Sequence, residues 1–221
     1  MLALELISDT IIPLKPTETV KRANNMMTDF KVNHLPIIGT DSQFLGLVCD
    51  DDLIEVASED NLIDSISPFY INGFVYNWQH VYDVIRTVYE RKLSLIAVLD
   101  DNRNYLGIIT LQTIIEAIAT LTSVKDTGGV IVLEINKRDN SLAHIAQIIE
   151  AQDAQILSSY TKYFPESTKI EVTLKVNLID IKQILAALVS FNYTIIATFN
   201  HSKDEKGLSD RYKSLMKYLS I

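Results

Sequence analysis

Cys49 is followed directly by three carboxylates, Asp50, Asp51 and Asp52, and 61 positions later Thr110 and Thr113 stand where Cys49 and Asp52 stood. A thiol beside acids can attack a substrate, hold a metal or bind a ligand. Attack needs a base to draw off the proton, and no recognisable base accompanies Cys49. Three consecutive carboxylates on a helix point in different directions, which suits Mg²⁺ poorly. The same carboxylates in a first helical turn offset the helix dipole. His34, His80, His144 and His201 show no metal-ligand spacing, and His34, at the start of a strand, reads as a surface histidine. The sequence has no GxSxG, no HExxH and no P-loop. The expectation is a non-catalytic protein without a metal site.

The elements that position these residues occur twice. Residues 11–58 reappear 61 positions on without a gap. Val20 matches Val81, Leu35-Pro36-Ile37-Ile38 matches Ile96-Ala97-Val98-Leu99, and Leu45-Gly46 matches Leu106-Gly107. Phe44 matches Tyr105, and Leu53-Ile54 matches Ile114-Ile115. Two such copies can pack about a pseudo-twofold axis and form a ligand cleft between them.

Each copy reads helix–strand–strand–helix. In the first, Thr17 or Thr19 caps a helix carrying Val20, Ala23, Met26, Met27 and Phe30 at helical spacing. Strands over 35–38 and 44–48 flank a polar turn, and Asp50 or Asp51 starts a helix through Leu53, Ile54 and Ala57. The second copy repeats this with a helix bearing Val81, Val84, Ile85 and Val88, strands over 95–99 and 105–110, and a helix from about Leu111 to Leu121.

The composition shifts at 123–129, and the rest reads strand–helix–strand–strand–helix–strand. Strands fall at 130–135, 154–164, 169–176 and 193–199. The third alternates Ile170, Val172, Leu174 and Val176 against polar residues. Asp139 or Ser141, with Asn140 in the same loop, precedes a helix over 142–151, and Asn177 starts the second helix. This order predicts a ferredoxin-like sheet with two helices on one face, within an α/β (α+β) chain. Leu208, Tyr212, Leu215, Met216 and Leu219 follow a polar connector and would make one apolar face of a short helix.

The bulk numbers set limits. Of 221 residues, 48% are hydrophobic and 22% charged, which supports a folded core. Nine basic and 17 acidic residues lie in 1–125, against 11 of each in the remainder, so the net charge of −8 belongs to the first part. An acidic surface repels phosphate backbones, which disfavours nucleic acid. The single cysteine precludes an intrachain disulfide and fits a reducing compartment. No run reaches the ~18–20 apolar residues of a membrane span, and Met1 to Ile7 is no signal peptide. A cytoplasmic protein is expected.

The endings LPIIGTDSQFLGLVCDDDLI (35–54) and IAVLDDNRNYLGIITLQTII (96–115) resemble those of tandem CBS domains, the Bateman module. The family ending is Gly, two aliphatic residues, Thr/Ser, two variable residues, Asp and Leu/Ile. The second part is similar to an ACT domain, and the combination resembles CBS–ACT proteins of the acetoin-utilisation type. The resemblance implies domains at 1–124 (repeats at about 6–58 and 67–121) and 125–200, then a connector and helix at 201–221. It also implies an adenosine-type effector such as AMP or ATP, none obligatory. In the family the Thr/Ser holds phosphate near a helix N-terminus and the Asp accepts both ribose hydroxyls. Carried over, the first copy offers Cys49 and Asp52, the second Thr110 and Thr113, so each half-site keeps one polar determinant. Ile12, Pro13, His34, Leu35 and Val48 would line the first site, and Phe74, Leu95, Ile96 and Ile109 the second. In the ACT-like half the loop 136–141 lacks the glycine that lets a ligand carboxylate approach. The resemblance implies a homodimer through CBS helices or ACT-like sheet edges. The alternative to a sensor is a ligand-free assembly module that recruits a partner enzyme.

Overall fold

Burial of the predicted apolar positions builds each repeat around the same elements. The computed structural model describes residues 1–54, 56, 58–139 and 141–200. Ala57, Asn140, His201 and the apolar pattern of 208–221 lie outside these. The chain divides into two compact units, Met1–Ile118 and a second that begins at Ala119.

In the first unit, helix α1 (Val20–Phe30) is capped by Thr19, whose hydroxyl accepts the Arg22 N–H at 3.3 Å. It buries Val20, Ala23 and Met27 and leaves Phe30 exposed. Strands β1 (His34–Ile38) and β2 (Phe44–Cys49) pair antiparallel and lead into the short helix α2 (Asp50–Ile54). The second repeat supplies β3 (Phe74–Tyr76), α3 (Val81–Arg91), β4 (Leu95–Leu99), β5 (Tyr105–Thr110) and α4 (Leu111–Leu121). The cap of α3 is His80, a residue type that does not advertise a helix start. Strand β3 adds an element that the helix–strand–strand–helix reading lacks. It lies parallel to β4, and in the first repeat Leu14 makes the corresponding parallel bridge to Ile37. Three residues or one are too few to show periodicity.

The equivalence extends to backbone irregularities. Lys31 and Lys92, 61 apart, end α1 and α3 in the left-handed conformation, and bulges fall at Ile37/Ile38 and Val98/Leu99. Gln43 bridges Asn104, and the Asn33 N–H donates to the Ser94 hydroxyl, so two pairs of equivalent residues touch. A pseudo-twofold axis therefore passes between the members of each pair.

The leader segments are exchanged about that axis. Ser8, ahead of the first repeat, pairs with Ile108 of the second; Ile71, ahead of the second, pairs with Leu47 of the first. Each crossing passes over a glycine. A Cβ on Gly46 (φ +152°) would lie 2.7 Å from Cβ of Tyr70, and one on Gly107 (φ +155°) would lie 2.4 Å from Cγ2 of Ile7. One hydrophobic core serves both repeats, with Leu14, Leu35, Leu47, Leu95 and Ile108 fully buried in it. Each such side chain contributes about 1.5–3 kcal/mol through burial.

In the second unit, β6 (Gly129–Asn136), β7 (Ile156–Tyr163), β8 (Lys169–Val176) and β9 (Thr194–Asn200) form an antiparallel sheet in the order β7-β8-β6-β9. This is the ferredoxin-like arrangement. Helices α5 (Leu142–Glu150) and α6 (Lys182–Ser190) bury Ile145, Ile148, Ile149, Ile184 and Leu188 against alternate residues of the sheet. Ser141 caps α5 by accepting the His144 N–H at 3.2 Å. The second helix starts at Lys182, five residues later than Asn177. Asn177 is used elsewhere: its side chain accepts the Gln155 N–H at 2.8 Å, and the next carbonyl, of Leu178, accepts the Gly129 N–H. A segment anchored to two other elements cannot wind into the helix.

Candidate ligand-binding cleft

The register of each hairpin places the candidate polar groups. His34 lies opposite Cys49, and Leu95 opposite Thr110. Where β2 becomes α2, the Cys49 thiol donates to Oδ1 of Asp50 at 3.2 Å, and the Asp51 N–H donates to the same oxygen at 2.9 Å. The Asn33 side-chain amide donates to Oδ2. Burial alone would raise the pKa of Asp50, but these three donors outweigh it and hold the carboxyl below its ordinary value. Asp50 is thus held in a local hydrogen-bond network, whereas the half-buried carboxylate of Asp52 stands outside it. Burial pushes the Cys49 thiol up to about 11, helped by its bond to Asp50 and opposed by the Asp51 amide. A thiol held protonated in this way is a weak nucleophile at neutral pH.

In the second repeat, the Thr110 hydroxyl accepts the Thr113 N–H at 3.2 Å and lies 3.0 Å from the Thr113 hydroxyl. The pair sits at the start of α4. A hydroxyl has one donor and two acceptor sites, so a capping threonine retains capacity for a ligand.

His34 is buried at 6% exposure, not on the surface as its position in the sequence suggested. Its Nδ1 accepts the Ser94 N–H at 3.2 Å and is 3.0 Å from the Ser94 hydroxyl, which accepts from Asn33. This fixes the proton on Nε2. Burial lowers the His34 pKa, against the pull of Asp50, Asp52 and Asp51.

The apolar candidates divide by depth. Leu35, Val48, Leu95, Ile96 and Ile109 are core residues at 0–1% exposure, so they support the hairpins from beneath. Ile12 is 65% exposed and Pro13 half-buried. Phe74 packs edge-on against Phe44 of the other repeat at 6.1 Å and against Tyr76 at 5.4 Å, with the Arg103 guanidinium 5.0 Å over its ring. Tyr76 stacks on Trp78 at 5.6 Å, and the Trp78 indole N–H donates to Asp101. Asn33, Ser94 and Arg103 were not singled out by sequence. For Asn33 and Ser94 the 61-residue offset between them is the signal that could have pointed to the pair.

A separate concavity of about 400 Å³ lies in the second unit, lined by Glu134, Asn136, Ser141, Lys169, Phe191 and Thr194 among others. The Tyr193 hydroxyl is 2.8 Å from Nδ1 of His144 in its wall.

The CBS domain family profile matches residues 3–59 and 79–120, the two repeats. The first half of the chain is a pair of CBS domains. A homoserine O-acetyltransferase of Methanosphaera stadtmanae is 27% identical over 107 residues, which cover 48% of this chain and 22% of that protein. The chain spans less than a third of the curated relatives it matches. A CBS domain pair/ACT domain protein from Thermotoga maritima is similar over 53% of this chain and 96% of its own, at 17% identity and a TM-score of 0.49. The protein CBSX2, solved in complex with AMP, is similar over 56% of this chain and 98% of its own, at 20% identity and a TM-score of 0.46. Among the described residues of the CBS pair and the ferredoxin-like unit, no helix is long and apolar enough to cross a membrane.

Proposed function

We propose that this protein is a non-catalytic cytoplasmic regulator that senses an adenosine-type nucleotide such as AMP or ATP between its CBS repeats. The observation that carries the reading is the division of polar determinants. Thr110 stands at the start of α4, where first-turn N–H groups and the helix dipole favour phosphate. Asp52 supplies a carboxylate outside the local hydrogen-bond network, suited to two ribose hydroxyls. Binding then shifts the state of the pair by its differential affinity for two conformations. Isothermal titration with AMP, ATP, NAD and S-adenosylmethionine is the test. Binding of one of them, reduced about tenfold or more by Asp52→Asn or Thr110→Val, supports the reading. Absence of heat and of a thermal shift with all four sinks it.

A second reading, a ligand-free assembly module, is favoured by the aromatic series from Phe44 through Phe74 and Tyr76 to Trp78, which fills space with side chains. Both readings use a homodimer. Leu111, Ile115 and Ile118 expose one stripe of α4 at 45%, 60% and 40%, and Ile54, the counterpart of Ile115, is 78% exposed on α2. A second copy covering these side chains removes the exposed apolar surface.

A further inference from the structure

One half of the His34 imidazole has a partner and the other has none. Both hydrogen bonds of the ring fall on Nδ1, at 3.2 Å to the Ser94 N–H and 3.0 Å to the Ser94 hydroxyl. The proton therefore sits on Nε2, and among the described residues no acceptor meets it. Burial keeps the ring neutral near pH 7, and the residue is only 6% exposed. A buried donor without a partner costs free energy and points to an acceptor from outside the chain.

The second repeat supplies the control. Leu95 stands 61 positions after His34, faces Thr110 as His34 faces Cys49, and is fully buried. The fold thus accepts an aliphatic side chain at this position, and packing does not require a ring. Support of the Ser94 N–H requires one acceptor, which Nδ1 provides. Nε2 is the part of the side chain that neither packing nor Ser94 uses.

The place of the ring narrows what it can recognise. Register sets His34 beside Cys49 at the end of the first hairpin, where β2 runs into Asp50, Asp51 and Asp52. Asp51 is exposed, and Cys49 and Asp52 are half-buried, so this end of the hairpin reaches solvent. An anion brought here meets three carboxylates, which disfavours phosphate. Ribose hydroxyls are served by Asp52 in the nucleotide reading. An uncharged ring nitrogen of a base escapes both objections, and a neutral imidazole N–H is a matching donor. We propose, resting on the nucleotide reading, that Nε2–H of His34 donates to a ring nitrogen of adenine and makes the first half-site selective for that base.

Titration of the full chain with AMP and with its 1-deaza, 3-deaza and 7-deaza analogues tests this, because each analogue replaces one ring nitrogen by C–H. The wild type should bind one of the three about tenfold or more weaker than AMP. In His34→Asn the side-chain oxygen stands in for Nδ1 toward Ser94, and nothing replaces Nε2. There the preference for AMP over that analogue should shrink to about twofold or less. A residue that only braces β1 would weaken AMP and the analogues alike. A preference that persists in His34→Asn, or equal binding of all four nucleotides by the wild type, would overturn the His34 assignment and leave the nucleotide reading standing. Absence of AMP binding by the wild type would overturn the assignment together with the AMP form of that reading. NMR of the histidine-labelled wild type needs no variant. The Nε2 proton of His34 should move downfield as AMP is added, and an unmoved resonance with AMP bound would overturn the assignment.

Discussion

Nδ1 of His34 accepts the backbone N–H of Ser94, its neighbour across the pseudo-twofold axis, at 3.2 Å. The bond joins the start of β1 to the residue before β4, and it exists only while Nδ1 is unprotonated. Burial keeps the His34 pKa below 6.5, so the unfolded chain takes up the proton more readily than the folded one. This part of the stability is present in full above pH 6.5 and is lost as pH falls from there toward the lower folded pKa. Urea melts across roughly pH 5 to 8 should show that loss. In His34→Asn, whose side-chain oxygen can accept in place of Nδ1, the loss should vanish. His34→Leu leaves the Ser94 N–H unpaired and should cost about 1–3 kcal/mol at every pH. A parallel pH profile in His34→Asn would assign the effect to another group.

Gly46 and Gly107 are equivalent positions, but their substitution should differ in effect. An added Cβ at Gly46 meets the main-chain-proximal Cβ of Tyr70 at 2.7 Å and the Ile71 carbonyl at 3.2 Å. At Gly107 it meets the Cγ2 methyl of Ile7 at 2.4 Å, an atom that a side-chain rotation can move. Both alanines incur the positive-φ penalty of about 1–3 kcal/mol. Gly46→Ala should be the more destabilising by about 1 kcal/mol or more. Denaturant midpoints of the two variants in the reverse order would contradict this.

Cys49 should alkylate slowly. With the thiol pushed up from 9.0 to about 11, its thiolate fraction near neutral pH is about a hundredfold below that of an unperturbed thiol. Iodoacetamide should label the urea-unfolded chain far faster than the native one. Asp50→Asn removes a nearby charge and should speed native labelling. Rapid labelling of the native wild type at pH 7.5 would show that the thiol is activated.

The α4 stripe predicts an association that one charge can break. Ile115→Asp places a carboxylate in the most exposed apolar position of the stripe and should turn a dimer into a monomer by light scattering at micromolar concentration, with an unchanged thermal midpoint for the monomer fold. A wild-type monomer at that concentration would remove the basis for the dimer.

The repeats were legible because burial dictates their pattern. Strands β4 and β5 and helix α4 have the limits that the apolar residues from Leu95 to Leu121 imply. Strand β8 likewise follows its alternation from Ile170 to Val176. What escaped was set by tertiary contacts. Phe74–Tyr76 is too short for a period to show, and Asn177 looks like a helix cap until Gln155 and Gly129 are seen to occupy its segment. The site was less legible than the fold. Its polar groups were visible by type, but Asp50 rather than Asp52 gathers the local donors, and His34 is buried. No local signal announces a partner 60 residues away such as Ser94.

The exchanged leaders also govern how the CBS pair comes into being. Ser8 meets Ile108 across an interval of one hundred residues, and both repeats share one core. The second hairpin finishes its edge only with Ser8, and the shared core needs both repeats, so long-range contacts carry a loop-closure entropy that must be met before the gain arrives. The shared core and the Ser8–Ile108 pairing predict that residues 1–118 fold as one cooperative unit, set by the return of the chain to where it began.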